Sequence, residues 1–180
     1  MRARSVPGTK LGLSRIKEDG PRLTLKIGAL QEDMRAVGAD PASPDSGAHL
    51  IRDYLAGRLM PENDKALTDA IAEIGTRFKL VGEPKNFMVQ PRPDTGYTAI
   101  HFQIRLENGL TAELQVMPSP FKKAADRQRS IFERYRDFDG KIPPELWPQH
   151  EKDLRRSRRA FEQAWSEWLA AGNQDPRAKK

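Results

Sequence analysis

Apolar and polar residues alternate with a period of two along the stretch from Tyr97 to Val116. Ile100, Phe102, Ile104 and Leu106 fall on one side, and Tyr97, His101, Gln103 and Arg105 on the other. A strand sends alternate residues to opposite faces of its sheet, so this run predicts one oily and one polar face. Leu110, Ala112, Leu114 and Val116 repeat the scheme against Thr111, Glu113 and Gln115, which predicts a hairpin turning at Glu107-Asn108-Gly109. A two-residue Asn-Gly turn would set Glu113 opposite Ile104 and mix the faces. A three-residue loop with Gly109 in the left-handed conformation pairs Leu106 with Leu110 and Ile104 with Ala112, and both oily faces then coincide. In that register Gln103 faces Glu113, His101 faces Gln115, and Tyr97, His101, Glu113 and Gln115 share one face. A sheet with one solvated face produces the same alternation.

The remaining elements follow from weaker patterns. Residues 1–10 are basic, contain Pro7 and Gly8, and read as a flexible arm. Leu11 to Lys17 predicts a short strand, and Pro21 to Val37 settles into helical spacing with Pro21 suited to the first turn. Gly38 to Gly47 is turn chemistry. Ala48 to Met60 predicts a short turn of helix that becomes a strand near Gly57. Pro61 to Ile74 predicts an amphipathic helix with Leu67, Ala70, Ile71 and Ile74 inward and Gly75 as its stop. Phe78 to Val81 predicts a short strand, and the proline-rich segment from Glu83 to Thr95 leads in extended form into the hairpin. After Met117, Pro118 and Pro120 open a helix striped by Phe121, Ala124, Ala125, Ile131, Phe132 and Tyr135. A last helix over about 149–171 sets Leu154, Phe161, Trp165, Trp168 and Leu169 against the run Arg155, Arg156, Arg158, Arg159. The segment 173–180 reads as a disordered tail.

Composition narrows the chemistry. A chain of 180 residues fits one domain with a real core, and 31% charged against 37% hydrophobic residues matches long charged helices. A net charge of +6 favours an anionic partner: nucleotide, nucleic acid or acidic protein. The absence of cysteine excludes disulfides, thiolate catalysis and cysteine-ligated zinc. The three histidines, at 49, 101 and 150, lack metal-ligand spacing. With no apolar run after Met1 and no membrane span, the expectation is a soluble protein acting in a cytoplasm.

Four short motifs occur in order: Arg15-Ile16-Lys17 with Lys26 downstream, Asp53-Tyr54-Leu55-Ala56-Gly57-Arg58, Gly96-Tyr97 followed by His101, and Glu113-Leu114-Gln115. Together they resemble the RelA/SpoT nucleotidyltransferase family, the pyrophosphokinases that make alarmones such as ppGpp, over about residues 11–137. The resemblance implies an α+β fold with a mixed, mainly antiparallel sheet flanked by helices and a long C-terminal helix. It implies a synthetase domain over 11–140 with the C-terminal helix, 141–172, packed on it.

It also implies roles. Moving a pyrophosphoryl group from ATP to a ribose hydroxyl needs magnesium, a carboxylate to hold it, a base for the hydroxyl and cations around the phosphates. By resemblance Asp53 is a metal ligand, while Glu113 shares the metal or activates the hydroxyl. Arg15, Lys17, Lys26 and Arg58 clamp ATP. Tyr97 stacks on the acceptor base while His101 and Gln115 hold acceptor phosphate or ribose. Each has a plain rival: Asp53 as a helix cap, Arg15 and Lys26 as solvated charges, Tyr97 as filler, His101 as a structural histidine. The sequence departs from the family at Pro21, where serine is usual, and at Met117 and Pro118, where arginine and threonine often stand. Arg92-Pro93-Asp94-Thr95 replaces a lysine-proline-asparagine lead-in, and Arg129-Ser130-Ile131-Phe132 stands where H-x-x-Y is common.

The implied activity is magnesium-dependent pyrophosphate transfer from ATP to the 3′-hydroxyl of a purine nucleotide. A variant within the same chemistry is a toxin acting on the 3′ end of tRNA, with an antitoxin or immunity protein as partner. The basic residues Lys122, Lys123, Arg127 and Arg129 and the arginine run favour that variant. A catalytically silent nucleotide- or RNA-binding module is the alternative of another class.

Overall fold

The computed structural model describes residues 6–11, 15–16, 21–36, 55–107, 109–138 and 141–178. The hairpin is formed by β6 (Ile100–Arg105) and β7 (Thr111–Val116) in the register that the hydrophobic pattern demands. Ile104 pairs with Ala112, Gln103 with Glu113 and His101 with Gln115. Gly109 takes φ +83°, and the Leu106 amide donates to the Leu110 carbonyl at 2.8 Å, closing the three-residue loop. Ile100, Phe102, Ile104, Ala112 and Val116 are all buried.

Five further strands complete the sheet. They are β1 (Thr9–Leu11), β2 (Arg15–Ile16), β3 (Leu55–Pro61), β4 (Lys79–Leu80) and β5 (Lys85–Asn86). The order is β1-β3-β7-β6-β4, with β2 pairing with β3 and β5 with β6; β3 and β7 run parallel and every other pair is antiparallel. Thr9 and Lys10 thus belong to the sheet and not to a flexible arm, because pairing with Pro61 and Met60 satisfies their backbone.

Helix α1 spans Pro21–Ala36 and α2 spans Asp64–Arg77. The helical start expected at Pro61 is displaced to Asn63, whose side chain accepts from the Ala66 amide at 2.9 Å, while Pro61 closes β3. Gly75 does not stop α2. The helix continues for two more residues, supported by the Thr76 hydroxyl on the Ala72 and Glu73 carbonyls and by the Arg77–Glu73 ion pair. Those contacts offset the cost of a helical glycine, about 1 kcal/mol. Ala70 and Ile74 of α2 join the oily face of the hairpin in one buried cluster.

After Met117 a 3₁₀ turn, Ser119–Phe121, leads into α3 (Lys122–Tyr135), and α4 runs from Trp147 to Ala170. Phe121 meets Trp165 edge to face at 4.8 Å, and Phe161, Trp165 and Trp168 extend the same core. Asp153, buried in α4, ties the two helices together: it accepts from Tyr135 Oη at 2.9 Å, Arg134 at 2.6 Å and Gln149 at 3.0 Å. Burial alone would push its carboxyl up, but these donors outweigh burial and hold it below the ordinary value.

The segment expected to be a disordered tail is docked as far as Ala178. Asn173 Oδ1 accepts from the Asp64 amide at the start of α2, Asn173 Nδ2 donates to the Trp168 carbonyl, and the Arg177 guanidinium lies 4.0 Å from the Trp165 ring. Asp64 lies 109 residues from Asn173, so local composition carries no sign of that partner. Among the described residues, no helix is long and apolar enough to cross a membrane.

Candidate active site

The polar face of the sheet carries two adjacent rows, one residue from each strand. One row is Arg58, Gln115, His101 and Lys85; its neighbour is Arg15, Ala56, Glu113 and Gln103. The parallel pairing of β3 with β7 puts Arg58 beside Gln115, and the three-residue hairpin loop puts His101 on Gln115's other side. Arg58, His101, Glu113 and Gln115, distant in sequence, therefore meet across three strands, and Arg15 holds a register position in the neighbouring row. The expectation for Asp53 and Lys17 lies outside the described residues. Lys26 falls within α1.

A chain of hydrogen bonds links the described members. Gln115 Oε1 accepts from Arg58 Nε at 3.2 Å and Nη2 at 3.0 Å, and Gln115 Nε2 donates to Glu113 Oε1 at 2.6 Å. Glu113 Oε2 is 3.4 Å from His101 Nδ1, and His101 Nε2 is 2.8 Å from the Tyr97 hydroxyl. An arginine has donors only, so Arg58 determines which end of the Gln115 amide faces Glu113. His101 thus bridges two oxygens, with Nδ1 toward the Glu113 carboxylate and Nε2 toward the Tyr97 hydroxyl.

Tyr97 is buried, at 9% exposure, with His101, Phe87 and Phe161 at its edges, 5.6, 5.9 and 5.8 Å away. Burial pushes its hydroxyl up to about 12; the positive charge of Arg58 pulls the other way, Glu113 adds to the rise and Arg92 opposes it. Tyr97 therefore stays a donor at neutral pH. Gly96 takes φ +74°, and a Cβ there would stand 3.3 Å from both Arg158 Cα and Phe161 Cβ. The glycine before the tyrosine thus lets α4 close against the back of the ring. Ser157 Oγ fastens the same approach by donating to the Thr95 carbonyl at 2.9 Å.

Further residues to which the motifs assign no role adjoin the site. Phe87 meets His101 edge to face at 5.3 Å and carries the Arg92 guanidinium 5.4 Å from its ring, and Lys85 occupies the register position beside His101. Together with Asn86 and Gln90, these residues line a recess of about 560 Å³. Asp126 of α3 lies 3.8 Å from Arg58 Nη1 and 2.6 Å from Lys122. Gln103, opposite Glu113, has a buried carbonyl oxygen with no hydrogen-bond partner among the described residues. The hairpin register places Gln103 opposite Glu113, as expected; Asp126 gives no sign in the sequence, because only the packing of α3 brings it near.

As for metal, the Glu113 carboxylate offers hard oxygen of the kind magnesium accepts when phosphates and water supply the rest. Among the described residues no three acidic, histidine or cysteine side chains converge as a self-sufficient metal site.

Neither a protein-family model nor a curated protein sequence matches the chain significantly. Solved structures do match in fold. Small alarmone synthetase 1 from Bacillus subtilis, bound to its product pppGpp, superposes with a TM-score of 0.59 at 17% identity, covering 91% of this chain and 76% of that one. The chain has the small alarmone synthetase fold. Small alarmone synthetase 2 from the same organism gives a TM-score of 0.54 at 16% identity over 92% and 78% of the two chains. The Type VI effector Tas1, in complex with its immunity protein, gives 0.52 at 17% identity over 88% and 83%. The synthetase fold thus spans nearly the whole chain, with the mixed sheet and long C-terminal helix that the motifs imply.

Proposed function

We propose that this protein is a pyrophosphokinase that transfers a pyrophosphoryl group from ATP to the 3′-hydroxyl of a purine nucleotide. The observation that carries the reading is the Glu113 carboxylate, oriented by Gln115 and His101 beside an aromatic cluster, on a fold whose compared member was solved with pppGpp.

In this reading the acceptor oxygen bonds to the β-phosphorus of ATP, the bond from that phosphorus to the α–β bridging oxygen breaks, and AMP leaves. Glu113 takes the hydroxyl proton, a task for a carboxylate within hydrogen-bond reach of the attacking oxygen. Asp53 and Glu113 would hold magnesium, which supplies charge neutralisation at the phosphates. Arg15, Lys17 and Lys26 serve the ATP phosphates. The hydrogen bonds of Arg58 and Gln115 support a refinement of their expected roles: both act on Glu113, Gln115 directly and Arg58 through Gln115. Tyr97 and Phe87 form the platform for the acceptor base, with His101 tying Tyr97 to the carboxylate.

The test is incubation with γ-labelled ATP, magnesium and, in turn, GDP, GTP, AMP, ADP or bulk tRNA. Label moving to a purine nucleotide supports the reading, label moving only to tRNA replaces the acceptor class, and no ATP consumption with any acceptor overturns it.

A further inference from the structure

Gln103 stands directly across β6 and β7 from Glu113, where opposed side chains lie close enough to act on one ligand. Its Oε1 is buried and has no hydrogen-bond partner among the described residues. The polar hydrogens seen around the site are directed elsewhere: Arg58 to Gln115, Gln115 to Glu113, the His101 Nδ1 side to Glu113 and the Tyr97 hydroxyl to His101. A buried carbonyl oxygen without a donor is unfavourable, and such a group beside a reactive carboxylate calls for a donor from a ligand. No described residue holds Oε1, so turning the amide toward a ligand breaks no described bond at that atom.

We infer that Gln103 determines sugar specificity: its carbonyl oxygen accepts from the 2′-hydroxyl of the acceptor nucleotide while Glu113 addresses the adjacent 3′-hydroxyl. This rests on the acceptor assignment above. A ribose presents two neighbouring hydroxyls, and the Gln103–Glu113 pair presents two neighbouring oxygen acceptors on adjoining strands. A 2′-deoxyribose leaves one acceptor empty, and a site built to hydrogen-bond a hydroxyl rejects the analogue lacking it.

Binding tests this separately from turnover. GDP and ADP, and their 2′-deoxy forms, are titrated calorimetrically into the full chain with magnesium present. The wild type is expected to bind the better ribonucleotide at least about fivefold more tightly than its 2′-deoxy form. In Gln103→Leu the ribonucleotide weakens by that factor while the deoxy form stays within about twofold, so the ratio falls to near one. Gln103→Met, a near-isostere, repeats the measurement if the leucine variant folds poorly. An unchanged ratio in a folded variant, or a wild-type ratio of one, overturns the inference. Failure of every nucleotide to bind overturns the inference and the acceptor assignment together. Nucleotide binding without label transfer sinks only the transferase reading, and the ratio still decides the role of Gln103.

Discussion

The amide nitrogen of Gln115 lies 2.6 Å from Oε1 of Glu113. With Arg58 on the carbonyl side of the same amide, Gln115 cannot turn over without presenting its NH₂ group to a guanidinium and its oxygen to a carboxylate. The orientation of Glu113 is thus fixed by a residue of β3, through a side chain of β7.

Replacing this amide by an acid makes the dependence measurable. In Gln115→Glu the new carboxylate still faces Arg58 but opposes Glu113, and two carboxylates that close share a proton. Transfer at neutral pH is expected to fall at least about tenfold, and the acidic limb of the pH–rate profile to move to higher pH. A profile superimposable on the wild type would remove Gln115 from the control of Glu113.

The buried Tyr97 hydroxyl gives a stability prediction with a defined sign. Its pKa is near 10 in the unfolded chain and about 12 when folded. Above pH 10 the unfolded chain loses this proton before the folded one does, so the contribution is complete below pH 10 and is lost as pH rises through 12. Tyr97→Phe removes it and gives up the bond to His101, costing about 1 kcal/mol at neutral pH. Denaturant midpoints of the two proteins should therefore converge as pH rises above 10, and a constant gap would contradict the burial argument.

Gly96 is required by packing. Alanine there meets an unfavourable positive φ and two atoms of α4 at 3.3 Å, an expected loss of about 1–3 kcal/mol. Gly96→Ala should lower the melting temperature by several degrees, about 2–4 °C per kcal/mol for a chain of this size. An unchanged melting temperature would show that α4 does not close against the segment at Gly96 as described.

Much of the fold was legible because the hairpin imposes its own register: only one loop length brings Ile104 and Ala112 onto the same oily face, and that choice places Glu113 beside Gln103. The register also brought His101 to Gln115. The end of α2 was not legible, because Gly75 reads as a stop while the contacts that carry the helix past it come from Thr76 and Arg77. The docked tail was hidden for another reason: the partners of Asn173 and Arg177, Asp64 and Trp165, give no local pattern. In the site, the motif named Gln115 but not its work. Only the pairing of β3 with β7 shows both ends of the amide engaged.

The basic surface is less available than the sequence implies. Arg155 pairs with Glu151, Arg156 approaches Asp153, Lys122 pairs with Asp126, and Arg158 packs on the segment at Gly96 that leads into β6. Exposed ion pairs of this kind contribute little individually, but they lower the net field the helices present.

The proposed chemistry converges on the Glu113 carboxylate, and the most direct measurement is label transfer from γ-labelled ATP by Glu113→Gln beside the wild type. An amide keeps the shape and can still bond to its neighbours but neither takes a proton nor binds magnesium comparably. Transfer is expected to fall by at least about a hundredfold with the melting temperature nearly unchanged. Wild-type transfer by a folded Glu113→Gln protein would contradict the account.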